Sequence, residues 1–291
     1  MIDTTNRRWQ VGDVTLTALV EAEVHGVPVQ IFFPDATPDE VRSCEWLGTY
    51  ARSDGTVGLT VQAFLLQMPS LTVLVDPCVG NGRKRVNPFW HDQHFPWLDR
   101  VHATGIGPEA IDLVLHTHLH ADHVGWDTHR VGEAWVPTFP NARYVYVGDE
   151  LDYWRAAEQR TNEDVYGDSV APVIDRDMAD VVDAHAKVAD GLQFVPTPGH
   201  TPGHVSLEVT TGDEPLVITG DLIHHPAQFA YPHWSEIADY DVSQARATRR
   251  GFVDAHAASG TLLAGTHFPA QPVGRAVSEG AVWRFEPVAP A

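Results

Sequence analysis

Apolar runs that stop abruptly at histidine or aspartate recur along this chain, and they constrain its fold more than any other feature. Ile111 to Leu115 runs into His116-Thr117-His118-Leu119-His120-Ala121-Asp122-His123, and Leu192 to Val195 leads into the segment 196–204, which carries His200. Leu216 to Thr219 precedes Asp221, and Thr261 to Ala264 precedes His267. Short apolar runs bounded by turn residues read as buried strands. Strand ends along one edge of a sheet converge, so ligand-type residues distant in sequence can share a cleft.

The remaining elements are consistent with a sheet architecture. Val14, Leu16, Ala18 and Val20 alternate as in a half-buried strand entered from a Gly12-Asp13 turn. Thr37-Pro38-Asp39-Glu40 is a capping box with proline at the first helical position, so a short helix is expected to about Leu47. Val61 to Leu66 and Leu71 to Val75, joined around Pro69-Ser70, read as a hairpin ending at Asp76-Pro77. Cys78 to Ile106 is rich in Gly, Asn, Pro and aromatic residues and is expected to form a long ordered loop beside an active site. Tyr144 to Val147 is a further strand, and helices are expected at Asp149 to Gln159, Val170 to Ala186 and Val242 to Ala258. The interleaving predicts an α/β or α+β fold. With no long linker or repeat, residues 1–291 are read as one domain. Residues 1–56 would be an N-terminal strand and helix extension, available to a homodimer contact, and 78–106 the active-site loop.

Composition narrows the function. A hydrophobic content of 43% supports a core of ordinary size and excludes a disordered chain. The formal charge of −20 repels phosphate backbones and anionic lipid surfaces, so neither nucleic acid nor membrane is expected as partner. No window reaches the ~18 apolar residues of a membrane span, and residues 1–6 carry no basic leader pattern, which predicts a cytoplasmic protein. Cys44 and Cys78 are too few and too far apart for a disulfide framework or a thiolate metal site. Histidine, at 17 residues, nearly equals lysine and arginine together, and neutral imidazole is the commonest protein ligand for transition metals.

Within the first histidine segment, residues 118–123 spell H-x-H-x-D-H. Burying four such side chains in six residues is costly unless a cation holds them. They are too many for one catalytic zinc and too few for two metals, so further ligands must come from His200, Asp221 and His267.

This motif set resembles the metallo-β-lactamase superfamily, specifically its dinuclear hydrolases, over roughly Val57 to Phe285. The resemblance implies an αββα sandwich of two mixed sheets covered by helices. It assigns His118, His120 and His200 to one metal, Asp122, His123 and His267 to a second, and Asp221 as the bridge. Two divalent ions are implied, zinc foremost, with iron, cobalt or manganese also suited to the donors. A metal-bridging hydroxide would be the nucleophile. Asp122 is then expected to act as general base and acid. His224 stands three residues after Asp221, where lactonases of this family carry a tyrosine. It is either an oxyanion or substrate contact or a packed histidine, and His225 is equally ambiguous. His116 and His204 are expected to be structural, and Asp76 to orient the motif loop by hydrogen bonds.

Class B β-lactamases place a cysteine among the second metal's ligands, which this chain lacks. Glyoxalase II and ribonuclease Z relatives bind anions, a poor match for two lysines and a charge of −20. Asp122-His123-Val124-Gly125-Trp126 and the segment 220–226 look closest to acyl-homoserine lactonases and methyl-parathion-hydrolase-like enzymes. The expected activity is hydrolysis of a small apolar lactone or carboxylic ester, hence quorum quenching. The alternatives are a phosphotriester hydrolase, a mononuclear iron dioxygenase of the persulfide type, or a non-catalytic metal-binding module. Phe32, Phe33, Trp90, Trp97, Trp126, Phe229, Tyr231 and Trp234 are candidates to line an apolar pocket, Trp126 first among them, while Cys78 reads as a small buried residue.

Overall fold

Gly12, at φ 55°, closes the two-residue turn between strands Arg7–Val11 and Val14–Pro28, whose register pairs Val11 with Val14. Glycine reaches the left-handed region that such tight hairpins need. The computed structural model describes residues 6–158, 164–212, 214–257, 259–280 and 282–291. The chain divides into two compact units: Met1–Ala22, Val61–Ala186 and Ala291 form the first, and Glu23–Thr60 and Lys187–Pro290 the second.

The first unit is built on a seven-stranded mixed sheet. Its order is Arg7–Val11, Val14–Pro28, Thr56–Gln67, Thr72–Val75, Leu113–Leu115, Arg143–Val147 and Ala179–Val182. The hairpin of Thr56–Gln67 with Thr72–Val75 is antiparallel, as its sequence predicts, and the three strands beyond pair in parallel. Leu19, Val61, Leu65, Leu74, Val114 and Tyr144 are buried in its core. The second unit carries another seven-stranded mixed sheet, in the order Lys187–Ala189, Leu192–Pro196, Val205–Val209, Leu216–Ile218, Leu262–Ala264, Val273–Glu279 and Val282–Pro287. Val29, Phe33, Leu47, Phe229, Phe268 and Phe285 are buried in its core. Two large mixed sheets with helices are what the α/β reading anticipates.

The capping box is present: Thr37 Oγ1 accepts from Glu40 N at 3.2 Å, and Glu40 Oε2 accepts from Thr37 N at 2.9 Å. The helix it starts, Pro38–Ser43, is shorter than expected. Cys44, at φ −95° and ψ 84°, leaves the helical region, and a 3₁₀ turn, Glu45–Thr49, follows. The long helix expected from Val170 to Ala186 is a larger error. Only Ala171–Ile174 is α-helical, after a π turn, Tyr166–Val170, and Asp177 at φ 57° reverses the chain. Ala179–Val182 then joins the first sheet beside Arg143–Val147. A parallel edge position stabilises this segment as strand, and tertiary pairing overrides helical propensity.

The loop of residues 78–106 is irregular for most of its length but ends in a helix, Trp97–His102, that the sequence reading missed. Trp97 and Val101, four apart, are fully buried on one face, and Trp97 Nε1 donates to Leu19 O at 3.0 Å. The helices Gly148–Glu158 and Val242–His256 match expectation, although Gln159 and Ala258 lie outside the described residues. Residues 1–5 of the N-terminal extension lie outside them as well. Among the described residues no helix is long and apolar enough to cross a membrane.

Candidate metal centre

In the first unit, strand Leu113–Leu115 delivers the histidine segment. His116 turns inward: its Nδ1–H donates to Val145 O at 3.0 Å, and Nε2 lies 2.8 Å from Asp127 Oδ1. Burial opposes charge on this ring, but Asp127 outweighs it and His116 titrates above the usual histidine range. Stacked on Tyr146 at 4.6 Å, it is a structural histidine, as expected.

The next residues are oriented from outside the segment. Asp76 sits at φ 52° where strand Thr72–Val75 ends. Its Oδ1 accepts from Thr117 N at 2.8 Å, its Oδ2 accepts from Thr117 Oγ1 at 2.7 Å, and His123 Nδ1 lies 3.2 Å from Oδ2. An aspartate held in the left-handed region is strained, and it persists because the hydrogen bonds over-determine it. Glu150 Oε1 accepts from Leu119 N at 3.1 Å and from Trp154 Nε1 at 2.8 Å, and the Trp154 ring meets His120 edge-on at 5.4 Å.

Between these two anchors the ligand-type residues come together. His118 Nε2 is 2.8 Å from His120 Nδ1, the rings of His118 and His123 are 4.0 Å apart, and His123 Nε2 is 3.9 Å from Asp122 Oδ1. His118 and His123 are buried, while Asp122 is partly exposed.

The segment after the motif passes so close to residues 78–80 that a Cβ on Gly125 would lie 1.8 Å from Val79 O, so only glycine fits. A carboxylate grips the same place: Glu21 accepts from Val79 N at 2.7 Å, Gly80 N at 3.2 Å and Trp126 Nε1 at 2.6 Å. Burial holds the Glu21 carboxyl up at about 7 even with these three donors. Trp126, stacked on Trp97 at 5.5 Å, is therefore core and not an open pocket wall, and Phe33, Phe229 and Trp234 are equally buried. Cys78 is buried in the core, which agrees with its bland reading.

In the second unit the centre is Asp221, in the 3₁₀ turn Gly220–Leu222 after strand Leu216–Ile218. Three imidazoles face its carboxylate: His200 Nε2 lies 3.3 Å and His224 Nε2 3.1 Å from Oδ2, and His267 Nε2 lies 3.2 Å from Oδ1. All four side chains are buried. His267 Nδ1 donates to Thr60 O at 2.8 Å, which leaves its Nε2 lone pair for the carboxylate side. His204 Nε2 accepts from Asp221 N at 3.0 Å, so its Nδ1 carries the proton that goes to Thr197 Oγ1 at 2.9 Å. It is a support for Asp221, in keeping with its structural reading.

Behind His200 stands Asp239, whose Oδ1 is 3.0 Å from His200 Nδ1 and whose Oδ2 accepts from Glu236 N at 3.0 Å and Arg249 at 3.3 Å. The fully buried Arg249 also donates to Leu222 O at 2.7 Å and Trp234 O at 2.6 Å, tying the Asp221 turn to the Asp239 loop. Burial works against charge on His200, yet Asp221 and Asp239 raise it to about 10. Asp239 is lowered to about 2 against its own burial, by His200 and Arg249. The His200 ring thus sits between two carboxylates, one at each nitrogen.

The donors around Asp221 fit a metal ion by their spacing. In a tetrahedral site with bonds of 2.0–2.1 Å, donors stand about 3.3 Å from one another, and the three distances around Asp221 match. Nitrogen and oxygen donors without thiolate suit zinc and its first-row neighbours. Asp239, Glu236 and Arg249 escaped the sequence reading because they belong to no motif. Glu236 offers a ligand atom within 4.8 Å of those of His200 and His224, a closeness visible only in three dimensions.

The chain is similar to known proteins in sequence and in fold. The chain is 30% identical over 149 residues to the N-acyl homoserine lactonase AttM of Rhizobium radiobacter, covering 48% of this chain and 50% of that protein. It thus spans about half the length of the curated relatives it matches. Its fold is similar to that of AidC, described as a dizinc quorum-quenching lactonase in complex with a product, with a TM-score of 0.81, 20% identity and 98% of each chain covered. It is likewise similar to the hydrolase AbOPH of the beta lactamase superfamily, with a TM-score of 0.81, 25% identity and 98% of each chain covered. The profile of the family described as Metallo-beta-lactamase superfamily matches residues 57–259, well over half of the sequence, and the chain belongs to that family.

Proposed function

We propose that the protein is a metal-dependent hydrolase that opens a small apolar lactone, with an N-acyl homoserine lactone as the leading candidate, or cleaves a related carboxylic ester. The observation that carries the reading is the carboxylate of Asp221 ringed by three buried imidazole nitrogens at 3.1–3.3 Å. In this reading His118, His120 and His200 would hold one divalent ion, Asp122, His123 and His267 would hold a second, and Asp221 would serve both. When bound, such ions polarise a carbonyl and make a nucleophile of water at neutral pH, and zinc is the first choice.

The protein's own groups do the rest. Asp122, partly exposed on the motif loop, carries the proton from water to the leaving alkoxide. Asp239 fixes the His200 tautomer, with the proton on Nδ1, so that Nε2 faces Asp221. Tyr240, exposed, is tied by its backbone N–H to the His200 carbonyl at 3.0 Å and offers apolar surface on the loop that follows Asp239. The relatives named as N-acyl homoserine lactonases supply the substrate class.

The reading extends to one metallo-β-lactamase-like domain over 1–291, with 1–56 as its extension and 78–106 as the loop bordering the site. It includes a homodimer and a cytoplasmic location, which two free cysteines suit.

The test is metal analysis of purified protein together with hydrolysis of acyl-homoserine lactones, γ-lactones, aryl esters and methyl parathion. Two metals per chain with lactone turnover are expected. One iron per chain without hydrolysis would overturn the reading.

A further inference from the structure

We propose that His224 is a metal ligand, an addition to the seven-residue set at a position where lactonases of this family carry tyrosine. The inference rests on the metal-dependent reading above and deepens it. His224 Nε2 approaches the same oxygen of Asp221 that His200 Nε2 approaches, at 3.1 Å and 3.3 Å, with the two ring centroids 4.7 Å apart. On the other side its ring stacks on His267, with 7° between the planes. Ligand atoms of Asp221, His224 and His267 lie within 4.8 Å of one another, and so do those of His200, His224 and Glu236. The second unit therefore offers three imidazoles around one carboxylate without help from the motif loop.

The backbone holds His224 in that place. Its peptide N–H donates to Gln228 Oε1 at 2.8 Å, and Gln228 Nε2 donates in turn to Trp234 O at 2.9 Å, the carbonyl that Arg249 also grips. The side chain is 5% exposed, and its Nδ1 finds no hydrogen-bond partner among the described residues. The ring's polar contact is thus through Nε2 to the proposed bridging carboxylate. A neutral imidazole with its proton on Nδ1 directs the Nε2 lone pair at that carboxylate, an arrangement that a cation between them makes favourable. A third imidazole raises the nitrogen share of the donor set and favours zinc, cobalt or nickel over magnesium or manganese.

The experiment compares wild type with His224→Phe and His224→Gln, each loaded with Co²⁺ and, separately, titrated with Zn²⁺ against a chelator. Circular dichroism of the metal-free proteins reports folding. Both variants are expected to bind metal about tenfold or more weakly and to change the visible absorption of the cobalt protein. Unchanged affinity together with an unchanged cobalt spectrum in a folded variant would overturn the inference and return His224 to a substrate contact or a packed histidine. Should both variants misfold, wild-type cobalt protein answers by NMR. Hyperfine-shifted imidazole signals from six histidines support the assignment, and signals from only His118, His120, His123, His200 and His267 refute it. Wild type that binds two metals while the variants match it removes this inference alone. Wild type that binds none removes the functional reading as well.

Discussion

The two units prepare ligand-type residues in opposite ways. In the first, four of them occupy one short loop, and the groups that orient it hold mostly peptide N–H and hydroxyl groups: Asp76 on Thr117 and Glu150 on Leu119. In the second, the four residues span positions 200 to 267 on three loops, Asp221 and His224 sharing one, and the supporting groups act on the ligand side chains or on the turns that bear them, through Asp239, His204 and Arg249. A contiguous motif needs its loop shaped once, whereas a dispersed set needs each imidazole aimed individually. The first arrangement is legible as one contiguous pattern of letters, the second only as separate strand ends that each run into a histidine or aspartate, and its supporting groups are not legible at all.

The comparison breaks most severely at Asp221. If the proposed function holds, Asp221→Ala is expected to abolish metal binding and lower lactone turnover by about 10³-fold, since an interaction worth several kcal/mol of transition-state stabilisation is lost. Metal analysis and initial rates check this, and a variant retaining both metals would mean that the second unit is not organised around its carboxylate.

A smaller effect sharpens the contrast. Asp239→Asn keeps the shape but weakens the carboxylate behind His200, and zinc affinity is expected to fall about 10–100-fold in chelator competition. Glu150→Gln, which acts on a peptide N–H of the motif loop, is expected to cost less affinity than Asp239→Asn. Equal losses would erase the distinction between the two modes of support.

Glu21 tests the first unit through pH. Its folded-state pKa is raised from the model-compound value of 4.5 to about 7, so its contribution to stability is full below 4.5 and is lost as pH rises to 7. A shift of this size corresponds to at most about 3 kcal/mol. Urea midpoints measured from pH 4.5 to 8 are expected to fall less steeply for Glu21→Gln than for wild type, and parallel curves would refute the assignment.

The smallest effect is Thr37→Ala, which removes the cap of helix Pro38–Ser43 in the second unit. It is expected to cost about 1 kcal/mol of stability and leave zinc affinity unchanged. Any change in affinity would show that the frame of the second unit is less independent of its ligands than its hydrogen bonds indicate.

Legibility followed the same divide. Strand ends leading into His118, His200, Asp221 and His267 could be read because apolar runs are contiguous and end in a dense histidine motif at 116–123 or, in the other three, in turns with glycine and proline. The capping box at Thr37 could be read because its signal is local. Ala179–Val182 was misread because the reversal at Asp177 has no strong letter code and the edge pairing comes from another part of the chain. Strands Val205–Val209, Val273–Glu279 and Val282–Pro287 were passed over for a related reason: their partners, not their own sequence, fix them as strands. Asp239 and Arg249 are ordinary charged residues until the fold buries them together. Trp126 looked like a pocket wall from its distance to the motif, and its burial, its stacking on Trp97 and its bond to Glu21 show it to be core.

Glu21 also has a meaning for how the chain acquires its form. The residues it grips lie 58, 59 and 105 positions away. Long closures of this kind are paid late in folding, after the sheets that bring the ends together have formed. The early-synthesised strand Val14–Pro28 thus carries the latch for a loop made much later. Changes in this strand, distant in sequence from every ligand, would then slow the maturation of the site without altering the chemistry it finally performs.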